Sequence, residues 1–193
     1  MGKIVIDPLK SSEVDEASVL LSRAFSPTPL PRALLGDPSE EQRRILKTVI
    51  RSIIELPGKV ILAKENEQII GAMRIVEWPD CQKPPAQVLN LLPQEMALRI
   101  GKWRSIWAKH DPKKPHWHID PLGVLPERQG QGVGSQLLEH FCGSVDRLGQ
   151  AAYLETDQTK NVRLYERFGF NVVGETLVSA VPNWFMWRSP RSE

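Results

Sequence analysis

The stretch that decides the fold runs from Leu122 to Ser135 and reads LGVLPERQGQGVGS. Its first residues end a segment that begins at Trp117 and is predicted to form a β-strand. Its last residues open an apolar pattern with helical spacing, which consists of Val133, Leu137, Leu138, Phe141 and Val145. Three glycines alternate at positions 130, 132 and 134, between the strand and the helix. The stretch therefore predicts a strand, a glycine-rich loop and a helix in direct succession.

The glycine-rich loop predicts a binding site for an anion. Without a Cβ atom, glycines let successive backbone N–H groups turn toward one negative charge. The first turn of the following helix adds unpaired N–H groups and the positive end of the helix dipole. A diphosphate suits such a site. The residues predicted to hold it are Gln129, Gly130, Gln131, Gly132, Val133, Gly134 and Ser135.

Three other interpretations of the loop compete with an anion-binding site of this kind. A nucleotide-binding P-loop needs a lysine before its Ser or Thr, and Gly134-Ser135 lacks one. A dinucleotide-binding fold places its glycines in G-x-G-x-x-G order directly after the strand. Glu155 lies where such a fold has its ribose-binding acid, but too little chain follows to complete its sheet. A plain glycine-rich turn without a ligand is the third interpretation. It is disfavoured because five positions of the loop fit an anion-binding turn and lie between a strand and an amphipathic helix.

Outward from the loop, strands and helices alternate in a way that predicts a mixed α/β sheet with parallel pairing near the glycines. Pro121 interrupts the strand before the loop and predicts a bulge there. The prolines in Ser26–Pro31 exclude regular helix and inner strand. On the N-terminal side the predicted elements are a strand at 3–7, helices at 11–24 and 39–56, a hairpin at 60–63 and 69–76, a loop at 79–90 and a helix at 91–109. On the C-terminal side they are strands at 151–156, 172–173 and 184–187, and a helix at 161–168.

Composition excludes several classes of protein. The net charge is +2, and the Lys and Arg residues are spread along 193 residues, so no nucleic-acid partner is expected. No apolar run is long enough for a membrane span, and no signal peptide is visible, so the cytoplasm is the expected location. Cys81 and Cys142 lie far apart in sequence, which indicates neither a disulfide framework nor a metal site. The sequence leaves the oligomeric state open, a homodimer included.

The motifs resemble those of the GCN5-related N-acetyltransferase (GNAT) superfamily. Leu122-x-Val124-x-Pro126-x-x-Gln129-x-x-Gly132-x-Gly134 resembles its coenzyme A signature, and Leu164-Tyr165-x-x-x-Gly169-Phe170 resembles its second signature. The stretches Tyr153–Thr156 and Asn161–Arg167 together are similar to the branch of puromycin-type acetyltransferases. The strong match covers residues 115–188. The resemblance implies a single domain over residues 1–193 with a splayed, mixed central β-sheet, flanked by helices on both faces.

The resemblance also implies a co-substrate, acetyl-CoA, and roles for particular residues. Backbone groups of Leu122, Gly123 and Val124 would bind the pantetheine arm as an added strand does. The loop would hold the pyrophosphate. Gln158 stands where many members of the superfamily carry an Asn. Asn161 is expected to cap the helix that carries Tyr165 and to touch the coenzyme.

Acyl transfer from a thioester to an amine needs a proton acceptor for the amine and a proton donor for the leaving sulfur. By resemblance, Tyr165 is the expected donor. His118 and Asp120 alternate on the strand before the loop, and Glu155 ends the neighbouring strand, so all three are candidate bases. A chain of water molecules that leads to solvent is a fourth alternative.

The acceptor pocket is expected between the N-terminal helices, the Pro-rich loop and the last hairpin. Its candidate walls are aromatic, namely Phe25, Trp103, Trp107, Trp117 and Trp184. No acidic cluster is visible in the sequence. The favoured function is transfer of an acetyl group to a primary amine of a small molecule, in a ternary complex. The alternatives are an acetyl-CoA-binding sensor without catalysis and a dinucleotide-binding oxidoreductase.

Overall fold

Seven strands form one sheet in the computed structural model, which describes residues 2–82, 90 and 92–190. The strands are β1 (Ile4–Pro8), β2 (Lys59–Glu65), β3 (Gln68–Glu77), β4 (Trp117–Val124), β5 (Ala152–Thr156), β6 (Asn171–Val178) and β7 (Val181–Arg188). Their order in the sheet is β1-β2-β3-β4-β5-β7-β6. Every pair is antiparallel except β4 with β5, so the sheet is mixed, as predicted.

The parallel pairing of β4 with β5 is short. It comprises only Trp117 opposite Ala152 and His118 opposite Tyr153, after which the strands diverge. A bulge follows at once, because β3 offers one residue, Arg74, where β4 offers two, Asp120 and Pro121. The Arg74 guanidinium donates to the backbone oxygen of Asp120 at 3.2 Å. The bulge predicted from Pro121 is confirmed, and it coincides with the splay of the sheet.

Six α-helices surround the sheet within the described residues: α1 (Val14–Phe25), α2 (Pro29–Leu35), α3 (Glu40–Ile54), α4 (Gln94–Trp107), α5 (Val133–Arg147) and α6 (Thr159–Glu166). Two glycines mark how closely helices approach the two faces. A Cβ on Gly123 would lie 2.7 Å from Leu21 on α1, and a Cβ on Gly71 would lie 2.9 Å from Val133 on α5. Gly71 pairs with Val124, the neighbour of Gly123, and adjacent strand residues face opposite ways. Helices α1 and α5 therefore cover opposite faces, which confirms the predicted fold class.

Two expectations about the N-terminal helices were wrong. The prolines at 29 and 31 lie in the first turn of α2, where a missing N–H costs no helical hydrogen bond. In α3 the helical spacing of Ile45, Val49, Ile53 and Leu56 predicts an apolar face made of these residues. The residues buried in the core are instead the next ones along the chain, Leu46, Ile50 and Ile54. Val49 and Ile53 line the cavity described below.

The remaining predicted elements agree with the structure to within a few residues at their ends, although the last two strands are longer than predicted. Of the predicted loop at 79–90, residues 80–82 form a 3-10 turn, and residues 83–89 lie outside the described residues. Cys142 is buried among core residues of α5, as expected of a small apolar side chain. Among the described helices, none is long and apolar enough to cross a membrane.

Candidate active site

The divergence of β4 and β5 opens a cavity of about 510 Å³. Its floor is formed by the ends of these two strands, and its walls by α1, α2, α3, α4 and α6. The cavity is lined by all four proposed acid–base residues, namely His118, Asp120, Glu155 and Tyr165. Residues that lie up to 47 positions apart in the chain thus meet where the sheet splays.

A hydrogen-bonded pair, His118 and Glu155, bridges the two diverging strands. His118 Nε2 lies 2.7 Å from Glu155 Oε2, and the Glu155 side chain is 2% exposed. The second carboxylate oxygen, Oε1, is buried and has no hydrogen-bond partner among the described residues. A buried carboxylate oxygen without a donor is costly, and it marks a place where a ligand can donate.

Burial and charge act on this pair in opposite directions. Burial alone would lower the pKa of His118, but the charge of Glu155 and hydrogen bonds with Cys81 and Glu155 raise it well above its usual value. Burial raises the pKa of Glu155, against the effect of His118. The pair is therefore an imidazolium that donates to a carboxylate of higher basicity than usual.

Tyr165 lies on α6 with its ring buried at 6% exposure. The ring makes an edge contact with Phe170, with 6.0 Å between centroids. The hydroxyl has no hydrogen-bond partner among the described residues, and the residue lines the cavity. Burial, together with the negative charge of Asp157, raises the pKa of the hydroxyl. The hydroxyl therefore keeps its proton at neutral pH and can act as a donor.

Carboxylates cluster around the cavity, although no acidic cluster was visible in the sequence. Asp111, Asp120, Glu155 and Asp157 all line it. Burial is the main reason why the pKa values of Asp111 and Asp157 are raised. Arg104 also lines the cavity, and burial lowers its pKa despite nearby Asp120, Asp111 and Glu155. The acids come from a loop after α4 and from two strand ends, so only the fold could show that they meet.

The glycine-rich loop lies at the surface, outside the cavity. Gly130 and Gly132 have φ angles of 73° and 84°, which is the left-handed region that favours glycine. A Cβ at either position would meet nothing within 4 Å, so the loop is open to a ligand. The backbone N–H groups of residues 130–135 have no acceptor among the described residues. Open approach and unpaired amides are what a diphosphate group needs, so the loop fits the predicted role.

The edge of β4 that faces away from β3 is unpaired beyond His118. Leu125 donates to Ile70 on β3, so alternation along the strand turns the backbone groups of Gly123 toward β3 as well. The groups of Leu122 and Val124 then point to the open edge, where the Val124 oxygen accepts from the Gln129 side chain at 3.2 Å. This geometry fits an extended ligand arm and favours Leu122 and Val124 over Gly123.

Asn161 does not cap its helix. The N-cap of α6 is Gln158, and Asn161 lies three residues further on, with its backbone N–H bonded to the Gln158 oxygen at 2.9 Å. Its side-chain amide donates to Thr156 Oγ1 at 3.3 Å. Gln158 and Asn161 both line the cavity, so a contact with the co-substrate stays a prediction.

Three of the five proposed aromatic walls line the cavity, namely Phe25, Trp103 and Trp107. Trp103 and Trp107 meet edge to face, with 4.9 Å between ring centroids. The other two lie elsewhere. Trp117 is buried in the core with its indole N–H bonded to Gln150, and Trp184 packs against the core. Helix α4, of unassigned role in the sequence, therefore supplies one wall of the cavity.

Comparison with known proteins agrees with this geometry. A sequence model described as the acetyltransferase (GNAT) family matches residues 27–170. A solved structure described as histone acetyltransferase HPA2 and related acetyltransferase, from Corynebacterium glutamicum, is 22% identical. It has a TM-score of 0.73, and the alignment covers 100% of this chain and 99% of that one.

Two further solved structures share the fold at lower identity. A GNAT family acetyltransferase from Brucella melitensis, in complex with acetyl-CoA, is 17% identical with a TM-score of 0.57 over 100% of this chain and 92% of that one. The polyamine N-acetyltransferase of Drosophila melanogaster is 13% identical with a TM-score of 0.64 over 97% and 100%. The narrower resemblance to puromycin-type enzymes stays a prediction. Since the family match covers most of the chain and the fold agrees along its length, the protein belongs to the GNAT acetyltransferase family and is an acyltransferase that uses acetyl-CoA as co-substrate.

Proposed function

We propose that the protein transfers the acetyl group of acetyl-CoA directly to a primary amine of a small, positively charged molecule. The observation that carries the proposal is the buried Glu155 carboxylate, with one oxygen held by His118 and the other without a partner. It shares one cavity with the Tyr165 hydroxyl and three further carboxylates. A proton acceptor and a proton donor are the groups that amine acylation needs, and the other carboxylates form an anionic subsite for a positively charged acceptor.

Glu155 is the general base in this proposal. Its free oxygen, Oε1, accepts a proton from the amine, while the hydrogen bond to His118 keeps the carboxylate in place. Burial raises the pKa of Glu155, so this carboxylate takes up a proton more readily than an exposed one. His118 is thus a positioning residue, and Asp120 belongs with the acids that attract the acceptor.

Tyr165 is the general acid. Its hydroxyl carries a proton at neutral pH, as an ordinary tyrosine does, and burial and Asp157 raise its pKa further. It has no competing partner among the described residues. Acetyl-CoA supplies the thioester, whose sulfur needs a proton as it departs. Leu122 and Val124 would hold the pantetheine arm through the open edge of β4, and residues 129–135 would hold the pyrophosphate.

The acceptor is a cation because the cavity collects negative charge. Four carboxylates line it against one guanidinium and one imidazolium. The aromatic faces of Trp103 and Trp107 add an apolar wall that can cover an ammonium group or an alkyl chain. One structural relative is named a polyamine N-acetyltransferase and another an arylalkylamine N-acetyltransferase-like protein, and both names concern amines.

The experiment is a thiol-release assay with acetyl-CoA across mono-, di- and polyamines, amino acids and neutral aromatic amines. Cationic di- and polyamines should give the highest kcat/KM. Asp111→Asn should raise KM for these amines about tenfold or more, because the variant loses one negative charge from the lining of the cavity. Glu41→Gln, on the exposed surface of α3, is the matched control and should leave KM unchanged. Equal kcat/KM for cationic and neutral amines would contradict the cationic acceptor.

Tyr165→Phe tests the general acid. The variant keeps the buried ring and loses the proton donor, so kcat should fall by about 10²-fold or more. The dissociation constant of acetyl-CoA should stay within a few-fold of wild type. Unchanged kcat would remove Tyr165 from the mechanism. Tight acetyl-CoA binding by the wild type without turnover of any amine would favour the sensor alternative.

The cytoplasm stays our prediction, and it is supported by the fact that neither cysteine forms a disulfide.

A further inference from the structure

A second cluster of reactive side chains adjoins the cavity. It consists of Cys81, on the 3-10 turn after β3, of His116, directly before β4, and of His118 on β4. One ligand atom of each residue lies within 4.8 Å of the other two. No motif in the sequence indicates this cluster, because the cysteine and the nearer histidine lie 35 positions apart. Pairing of β3 with β4 brings the two segments together.

Each histidine is oriented by a partner on one ring nitrogen, which leaves the other nitrogen available. His116 Nδ1 lies 2.8 Å from the backbone oxygen of Lys114, so this nitrogen donates and Nε2 keeps its lone pair. His118 Nε2 lies 2.7 Å from Glu155 and donates there. Its Nδ1 would have to release its proton when a metal ion binds, and it would then supply the second imidazole lone pair. Histidines that bind metals in proteins are held in this way, by a carbonyl or a carboxylate on the distal nitrogen.

The distance between the cysteine and His116 matches a metal site. Cys81 Sγ lies 3.6 Å from His116 Nε2. Bond lengths of about 2.0–2.1 Å to nitrogen and about 2.3 Å to sulfur place these two atoms about 3.5 Å apart around a tetrahedral zinc ion. The ligand atom of His118 lies within 4.8 Å of the other two, so the three side chains would have to close by about 1 Å around a bound ion.

We propose that Cys81, His116 and His118 form a three-ligand site for a thiophilic divalent transition ion, of which Zn²⁺ is the best match. One thiolate and two imidazoles suit zinc and cobalt, whereas magnesium and calcium prefer oxygen ligands. Cys81 and His118 both line the cavity, so the fourth coordination position is open to water or to a ligand in the cavity. The His118 contact with Glu155 serves as the outer-shell contact of this site.

Cobalt(II) titration of chelator-treated, buffer-exchanged protein tests the proposal. Thiolate ligation should give a near-ultraviolet sulfur-to-cobalt charge-transfer band that saturates at one ion per chain, and Zn²⁺ should abolish it. Cys81→Ser should remove the band, and the control Cys142→Ala should retain it, because Cys142 lies in the core of α5. Absence of the band in wild type, or its persistence in Cys81→Ser, would overturn the proposal.

Zinc calorimetry gives a readout that does not depend on the thiolate. His116→Gln should weaken zinc binding by more than about 100-fold, since loss of a direct ligand exceeds the 10–100-fold effect of outer-shell changes. The surface variant His140→Gln should bind zinc as wild type does. Circular dichroism shows whether each variant is folded, and equal zinc affinity in folded His116→Gln would contradict the site. None of these measurements depends on acetyl transfer.

Discussion

At the scale of single residues, the two oxygens of the Glu155 carboxylate have different surroundings. Oε2 accepts from His118, and Oε1 has no partner among the described residues. Glu155→Gln should therefore lower kcat by about 10²- to 10⁴-fold, because an amide of the same shape cannot take the proton. Steady-state kinetics and acetyl-CoA calorimetry would check this, and the dissociation constant should not change. Glu166→Gln, exposed on α6, is the control, and wild-type kcat in Glu155→Gln would return the role to His118 or to water.

The sequence predicted the identity of several site residues better than their individual roles. His118, Asp120, Glu155 and Tyr165 all line the cavity. Spacing on a strand indicates which side chains share a face, but it cannot show a hydrogen bond between two strands. The pairing of His118 with Glu155 depends on the register of β4 against β5. The contributions of Asp111, Arg104 and Cys81 to the site were missed because these residues lie in segments that carry no motif.

At the scale of elements, the loop and the helix that follows it form one unit. Gly132 is the N-cap of α5 and has a φ of 84°, a conformation that disfavours β-branched side chains. Gly132→Val should weaken acetyl-CoA binding at least tenfold, because the side chain stands where phosphate approaches the backbone. It should also lower Tm through strain of about 1–2 kcal/mol. Calorimetry and thermal melts would measure both, with Gly143→Ala on the same helix as control. Unchanged affinity would rule out the loop as the phosphate site.

A buried ion pair joins the entry of α1 to the sheet. Lys64 on β2 lies 2.6 Å from Glu13, and the Lys64 side chain is 5% exposed. The hydrogen bond from Lys64 holds the pKa of Glu13 below its usual 4.5, so the folded state favours the carboxylate. This stabilisation is complete above the unfolded pKa and is lost as pH falls through the lower, folded pKa.

Glu13→Gln should accordingly lower Tm near neutral pH, and the difference from wild type should shrink as pH falls below 4.5. Thermal melts between neutral and acid pH would measure it. Glu16→Gln, exposed on α1, is the control and should show no such convergence. A difference in Tm that stays constant across the pH range would contradict the role of the ion pair.

The order of strands and helices along the chain could be predicted, because apolar residues recur every second residue in a strand and about every 3.6 residues in a helix. The failures were local. Pro29 and Pro31 exclude a helix interior, but they are compatible with a first turn, and that turn is where they lie. In α3 the apolar residues form a wide face, with Leu46, Ile50 and Ile54 buried in the core. Val49 and Ile53 extend this face along the cavity, which Leu46 and Ile50 line as well. Periodicity alone does not tell a core from a pocket.

At the scale of the whole molecule, the sequence predicted the fold class but not the order of strands. Pairing of β5 with β7, and of β7 with β6, puts the last strand inside the sheet. Nothing in the sequence of Val181–Arg188 distinguishes an inner strand from an edge strand. The splay, by contrast, could be anticipated from Pro121 and from the family motif, because both fall at one place on β4.

Only two residue pairs join β4 to β5, so the sheet consists of two parts, β1–β4 and β5–β7, that are connected by a short stretch of pairing. The phosphate loop follows β4 and belongs to the first part of the sheet, whereas Glu155 and Tyr165 belong to the second part. Acetyl-CoA that contacts both parts would therefore restrict their movement relative to each other. Hydrogen–deuterium exchange should therefore slow on β4 and on β5 when acetyl-CoA is added, and Tm should rise by linkage. Desulfo-coenzyme A should act likewise, whereas pyrophosphate alone should protect only the loop. The co-substrate would then serve as a missing strand, and the enzyme would gain its full rigidity only when it is loaded.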